Sequence, residues 1–231
     1  MFINAILINL YSNTFKLAVK PPDYREDFFM QNSKTKKLVE ISILVALAFV
    51  LDYVANIYSG WFWPFGGSIS FSLVPLAIIA YRYGWVAGFT GGFVMGLLQL
   101  LTGAYIMHPV QVLFDYPLPY AVLGFAGFFA SKINTVDGNH RMTYIWVSTG
   151  IASVARLICH IISGVAFFAD YAPEGMNPVV YSIVYNIPYV LASYIVSAVV
   201  LVVLYKRYAP QLVNISKAQI NIVSNEKVAS I

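Results

Sequence analysis

Six apolar stretches between Lys37 and Lys206, divided by short polar or aromatic breaks, leave this chain few ways to fold. They fall at roughly 38–57, 69–83, 86–104, 109–131, 142–166 and 178–205. About 20 apolar residues in helical form cross the hydrocarbon of a bilayer, and at that depth every backbone N–H and C=O needs a partner inside the protein. A helix meets both demands. Composition closes off the water-soluble alternative: with 59% hydrophobic and 10% charged residues, and mean hydropathy +0.72, too little polar surface exists to clothe a soluble domain. The expectation is an all-α integral membrane protein, one six-helix membrane domain over residues 34–208.

The basic residues set its orientation. Lys34, Lys36 and Lys37 precede the first stretch, Arg82 marks the turn between the second and third, Lys132 and Arg141 flank the loop after the fourth, and Lys206 and Arg207 close the sixth. The other loops, near 58–68, 105–108 and 167–177, carry no Lys or Arg, and only Asp170 and Glu174 among charged residues. The positive-inside rule then predicts cytoplasmic N and C termini, with which an even number of spans agrees. Net charge is +4 and the pI about 9.0, yet the basic residues form no stripe that would track phosphates, so nucleic acid is not an expected partner. Cys159, the single cysteine, excludes an intramolecular disulfide and a multi-cysteine metal site.

Two segments flank the membrane domain. In residues 1–33 the apolar start, Phe2 to Leu10, is too short to span, and no basic n-region or cleavage site marks a secretory signal. This stretch is either a disordered or surface-lying tail or an upstream extension of a chain that starts at Met30. The lysine-bearing flank after Met30 favours the extension. Residues 209–231 are read as a cytoplasmic C-terminal tail.

Small residues recur at helical spacing. Gly88, Gly92 and Gly96 line one face of the third stretch, where close backbone approach supplies van der Waals contact, so packing within the chain is the expected role. Ser42 and Ala46 give the first stretch a small-residue face able to dock another protein.

Ionisable groups at membrane depth are costly, and each asks for a partner or a task. Asp52, Asp115, Arg156 and His160 are the group in question. Asp52 reads as a hydrogen-bonded structural carboxylate. Asp115 opens the run Asp-Tyr-Pro-Leu-Pro-Tyr, in which Pro117 and Pro119 remove backbone donors and break helix regularity. It is placed either to receive a cation or amine or to pair with Arg156. Arg156 and His160 lie one helical turn apart on a shared face. His160 is a candidate site residue and Arg156 a structural counter-charge that orients the acid. Aromatics crowd the same ends of the helices. Most belong to an interfacial belt, but a set converging on Asp115 and His160 would cage a flat cationic heterocycle. No Walker A loop, His-Glu-x-x-His pair or Gly-x-Ser-x-Gly elbow occurs in the sequence, so the chain is not expected to be an enzyme or to hydrolyse ATP itself.

The stretch Gly103-Ala-Tyr-Ile-Met-His-Pro-Val-Gln-Val-Leu-Phe-Asp-Tyr116, with Ala155-Arg-Leu-Ile-Cys-His-Ile-Ile-Ser-Gly164, resembles the thiamine-specific substrate-binding subunit (S component) of energy-coupling factor (ECF) transporters. Tyr171-Ala-Pro-Glu-Gly-Met176, Tyr181 and the pair Tyr185-Asn186 extend the likeness over about 36–208. It implies a six-helix fold binding thiamine near its outer face. It also implies a transmembrane coupling protein and two ATPase subunits as partners, with thiamine as ligand and no cofactor or metal. Carried over by position, the substrate-binding residues are Tyr105, Asp115, Tyr116, His160, Gly164, Phe168, Tyr181 and Asn186. The acid would take the aminopyrimidine, the aromatics would stack on the rings, Asn186 would anchor the pyrimidine edge and Gly164 would leave space. Trp61 or Trp63 would be the lid. Asp115 stands where some members have Glu, and Phe168 where some have Trp; Ser42-xxx-Ala46 matches the family's docking motif only in size. Rival readings are a subunit for another vitamin, a proton-coupled permease using Asp115 and His160, and a membrane enzyme with the same two residues as base and orienter.

Overall fold

The computed structural model describes residues 33–136 and 138–229, with side chains at 34–136, 138–209 and 212. The expected extension at 1–33 therefore lies outside the described residues except for Ser33. Met1–Glu40 and Ile41–Ile231 form separate units, and the helix bundle with its cavity lies in the second.

Every regular element among the described residues is helical. Helix α1 spans Ser33–Ser59, α2 Leu73–Tyr83, α3 Trp85–Gln99, α4 Pro109–Asp115, α5 Pro117–Ala121, α6 Ala130–Thr135, α7 Gly138–Phe167 and α8 Pro178–Ala229. Single 3-10 turns follow α1, α3 and α7, and a 3-10 run, Val122–Phe129, joins α5 to α6. Five stretches are long and apolar enough to cross a membrane: Lys34–Phe62, Trp85–Thr102, Pro109–Thr135, Gly138–Phe167 and Pro178–Ala209. Helix α8 leaves helical geometry at Tyr208 (φ −121°, ψ 16°).

The short helix α2 is the centre of the bundle. Leu73 to Tyr81 are all buried, packed among α3, the 3-10 run and α8. The second apolar stretch thus becomes helical at Leu73 rather than near 69. Residues 68–71 belong to no regular element and Ser72 is a turn, and serine hydroxyls pair with backbone groups of 68–70. The amide of Ile69 donates to Ser59 Oγ (2.9 Å) and that of Ser70 to Ser193 Oγ (2.9 Å). Ser193 Oγ and Ser197 Oγ donate in turn to the carbonyls of Ser68 (3.2 Å) and Ser70 (3.4 Å). Non-helical backbone is tolerated at membrane depth only with such protein partners. At the other end of α2, Gly84 (φ +85°) makes the reversal into α3 in a conformation that side chains resist.

Helix α1 turns one narrow row inward, Val45, Ala48, Asp52, Ala55 and Ser59, at alternating steps of three and four that follow the helical repeat. Ser42 and Ala46 lie off that row and are exposed. The glycine face of α3 meets the broken fourth stretch: a Cβ on Gly88 would stand 2.9 Å from the Gly124 Cα, and one on Gly96 2.5 Å from the Pro117 Cα. In the 3-10 run, residues three apart fall in one column. Gly124 and Gly127 both face the α3 backbone at Phe89 and Trp85, while the Phe125 and Phe128 rings stack at 5.3 Å.

Candidate functional site

The ends of α1, α3 and α7, the start of α8, the α4–α5 break and the loop after α1 enclose a cavity of about 430 Å3. Tyr105, Asp115, Tyr116, His160, Gly164, Phe168, Tyr181 and Asn186 all line it, and so do Arg156 and Trp63. Trp61 does not line it. That side chain is 70% exposed and lies against Phe62.

Asp115 is the last residue of α4, and the chain breaks directly after it, Tyr116 lying at φ −118°, ψ −81° ahead of Pro117. One carboxylate oxygen, Oδ2, accepts from Gln111 Nε2 at 2.6 Å. The other, Oδ1, stands 3.7 Å from His160 Nδ1, beyond a hydrogen bond, so its acceptor capacity faces the cavity. Gln111 is itself held in place: it donates to the Tyr105 carbonyl (3.0 Å) and accepts from the Met107 amide (3.0 Å). The Tyr116 hydroxyl accepts from the Tyr105 amide at 2.7 Å. The loop before α4 is thereby tied to the acid.

Across the cavity, Arg156 Nε donates to His160 Nε2 at 3.3 Å. A guanidinium only donates, so this contact puts the imidazole proton of neutral His160 on Nδ1, toward Asp115. The Arg156 guanidinium also lies 4.6 Å from the Tyr120 ring centroid. Asp52, 2% exposed, forms the floor. It accepts from Ser72 Oγ (3.0 Å), Gln99 Nε2 (2.7 Å) and Tyr120 Oη (2.8 Å). Through these three donors Asp52 ties its own helix α1 to α3, α5 and the residue that opens α2.

Aromatic rings form the remaining walls. Phe65, in the loop after α1, lies 4.3 Å from Tyr171, 6.0 Å from Phe168 and 6.3 Å from both Tyr105 and Tyr185. Its amide donates to Tyr185 Oη (3.0 Å), and that hydroxyl donates to the Gly66 carbonyl (3.2 Å), clipping the loop to α8. Trp63 meets Tyr189 edge-on at 5.5 Å. Asn186 is oriented by donation to the Ser182 carbonyl (2.8 Å) and by the Tyr189 hydroxyl. The Tyr105 and Tyr171 hydroxyls meet at 3.3 Å, and this contact holds the Tyr171 phenol above its ordinary pKa. Gly164 serves α7–α8 packing as well as the lining, for a Cβ there would stand 2.1 Å from Ser182 Oγ.

Sequence reasoning passes over Gln111 and Tyr189, and leaves Phe65 undistinguished among the aromatics at the helix ends. Gln111 does carry a signal: one helical turn before an intramembrane acid, it is where a supporting donor belongs. Phe65 and Tyr189 look like any other aromatics.

The profile of the family described as "Thiamine transporter protein" matches residues 38–213. The chain belongs to this thiamine transporter family. It is similar to the thiamine transporter ThiT of Bacillus subtilis (strain 168), 36% identical over 193 residues that cover 81% of this chain and 99% of that protein. It is likewise similar to ThiT of Lacticaseibacillus paracasei, 31% identical over 190 residues, 79% of this chain and 92% of that one. A solved structure of ThiT from Listeria monocytogenes superposes with a TM-score of 0.69 at 30% identity, covering 79% of this chain and 99% of its own. As a member of the thiamine transporter family, the chain is a multi-pass bacterial membrane protein concerned with transport and not an enzyme.

Proposed function

We propose that this chain is the thiamine-capturing S component of an ECF transporter. In this reading the chain has six spans, α2 counted as the short second one, with both termini in the cytoplasm and the cavity at the outer face. The lack of Lys and Arg in the loops at the cavity end supports that orientation. One observation carries the ligand reading: Asp115 presents a carboxylate oxygen to a cavity walled by aromatic faces. Thiamine brings a fixed thiazolium charge and a flat aminopyrimidine with N–H donors, which that arrangement complements.

In this reading the amine of the pyrimidine donates to Asp115, and Asn186 meets the pyrimidine edge. Phe168, Tyr105, Tyr116 and Tyr181 offer faces to the rings, His160 Nδ1–H faces the same pocket, and the loop carrying Trp63 and Phe65 covers the ligand. A tight site empties only into a state that binds far less well. Release therefore falls to a transmembrane coupling protein driven by two ATPase subunits, with Ser42 and Ala46 on the docking face.

Purified protein titrated with thiamine, riboflavin and biotin tests the proposal. Thiamine alone should bind saturably. Binding of riboflavin or biotin in its place, or thiamine uptake by this chain by itself in proteoliposomes under a proton gradient, would overturn it.

A further inference from the structure

Two carboxylates, Asp52 and Asp115, and one guanidinium, Arg156, line the cavity together with His160. Were Arg156 to act on Asp115, that pair would cancel and the remaining negative charge would lie at Asp52, whose carboxylate already accepts from Ser72, Gln99 and Tyr120. The contacts run otherwise. Arg156 lies over the face of Tyr120, the same ring whose hydroxyl donates to Asp52. Asp115 instead has Gln111 and His160 beside it, and His160 accepts from Arg156 through Nε2. Protonating that nitrogen would replace an accepted hydrogen bond with two donors and two positive charges face to face, so His160 stays neutral. The pocket is left with one unbalanced negative charge, at Asp115.

We infer that Asp52 is the specificity-determining residue for cationic charge: its carboxylate and the Arg156 guanidinium engage the same Tyr120 side chain, at the hydroxyl and at the ring face, so its field offsets Arg156 and leaves Asp115 free to select a monocation. This inference rests on the thiamine reading of the same cavity. Asp52 acts here as a positioning residue, at the floor and away from the ligand's ring atoms. A charge that deeply buried is weakly screened by the surrounding protein, so its loss should be felt as a change in charge preference as well as in fold.

The test compares thiamine with an uncharged isostere in which a thiophene replaces the thiazolium, both titrated against the purified protein. For Asp52→Asn, affinity for thiamine should fall about tenfold further than affinity for the neutral isostere, because Arg156 now opposes the cation. Arg156→Gln should move the ratio the other way, toward thiamine, and the double variant should return it near the starting value. A purely structural Asp52 would weaken both ligands alike, and equal losses overturn the inference while leaving the thiamine reading intact. If Asp52→Asn does not fold, Arg156→Gln alone decides: an unchanged ratio overturns the inference and a raised one supports it. Failure of the unaltered protein to bind thiamine would sink the underlying reading itself.

Discussion

Gly92 on α3 has no room for a methyl group, because a Cβ there would stand 2.1 Å from the carbonyl oxygen of Tyr120. That oxygen belongs to backbone, which cannot swing aside as a long side chain would. The helix carrying Tyr120, which begins directly after the break at Asp115, is thus set against α3 by the absence of a side chain.

Gly92→Ala should therefore push α5 outward, costing about 1–3 kcal/mol as an overpacked contact and weakening ligand binding with it. Thr90→Ala, on the exposed side of the same helix, is the control. Thermal unfolding in detergent and thiamine titration of both variants check this; equal behaviour of the two would show that α3 does not position the site.

Asp115→Asn removes the charge but keeps the shape. Thiamine affinity should fall at least about tenfold, close to 1.4 kcal/mol, while expression and thermal stability hold. Isothermal titration gives the answer, and unchanged affinity would refute the carboxylate's role.

The two loop tryptophans should part company. Trp63 lines the cavity and Trp61 does not. Thiamine should quench tryptophan emission in the unaltered protein and in Trp61→Phe, and quench it much less in Trp63→Phe. Retained quenching in Trp63→Phe would move the lid to another residue.

Ser42→Trp adds bulk to an exposed face of α1, off the buried row that holds Asp52. Thiamine binding should be unchanged, while uptake in cells that supply the coupling protein and ATPases should fall severalfold. Uptake at the original rate would place the docking face elsewhere.

Much of the site can be read from the sequence because polar groups in an apolar run have few innocent uses. Asp115, Arg156 and His160 are conspicuous for that reason, and helical spacing alone puts the last two on one face. The glycines of α3 are equally plain. Other features depend on residues far apart in the chain. The irregular backbone at 68–72 rests on Ser59 and, across the chain, on Ser193 and Ser197, and no local pattern in an apolar run announces the last two, more than a hundred residues away. Spacing presents Arg156 as a counter-charge for Asp115; its place over Tyr120 follows from a crossing of α5 and α7 that periodicity does not encode. The choice between Trp61 and Trp63 lies in a loop, where spacing carries no phase. Gly164 illustrates a further limit, since a small residue beside a pocket and one beside a neighbouring helix look alike in one dimension.

The threefold column in Val122–Phe129 bears on the length and register of its span. At about 2.0 Å of rise per residue instead of 1.5 Å, its eight residues reach roughly 4 Å farther than an α-helix of the same length would. That extra reach leaves the segment intolerant of indels. One residue removed between Gly124 and Gly127 would rotate everything beyond it by about 120°, driving the Phe128 ring into backbone where now only hydrogen fits.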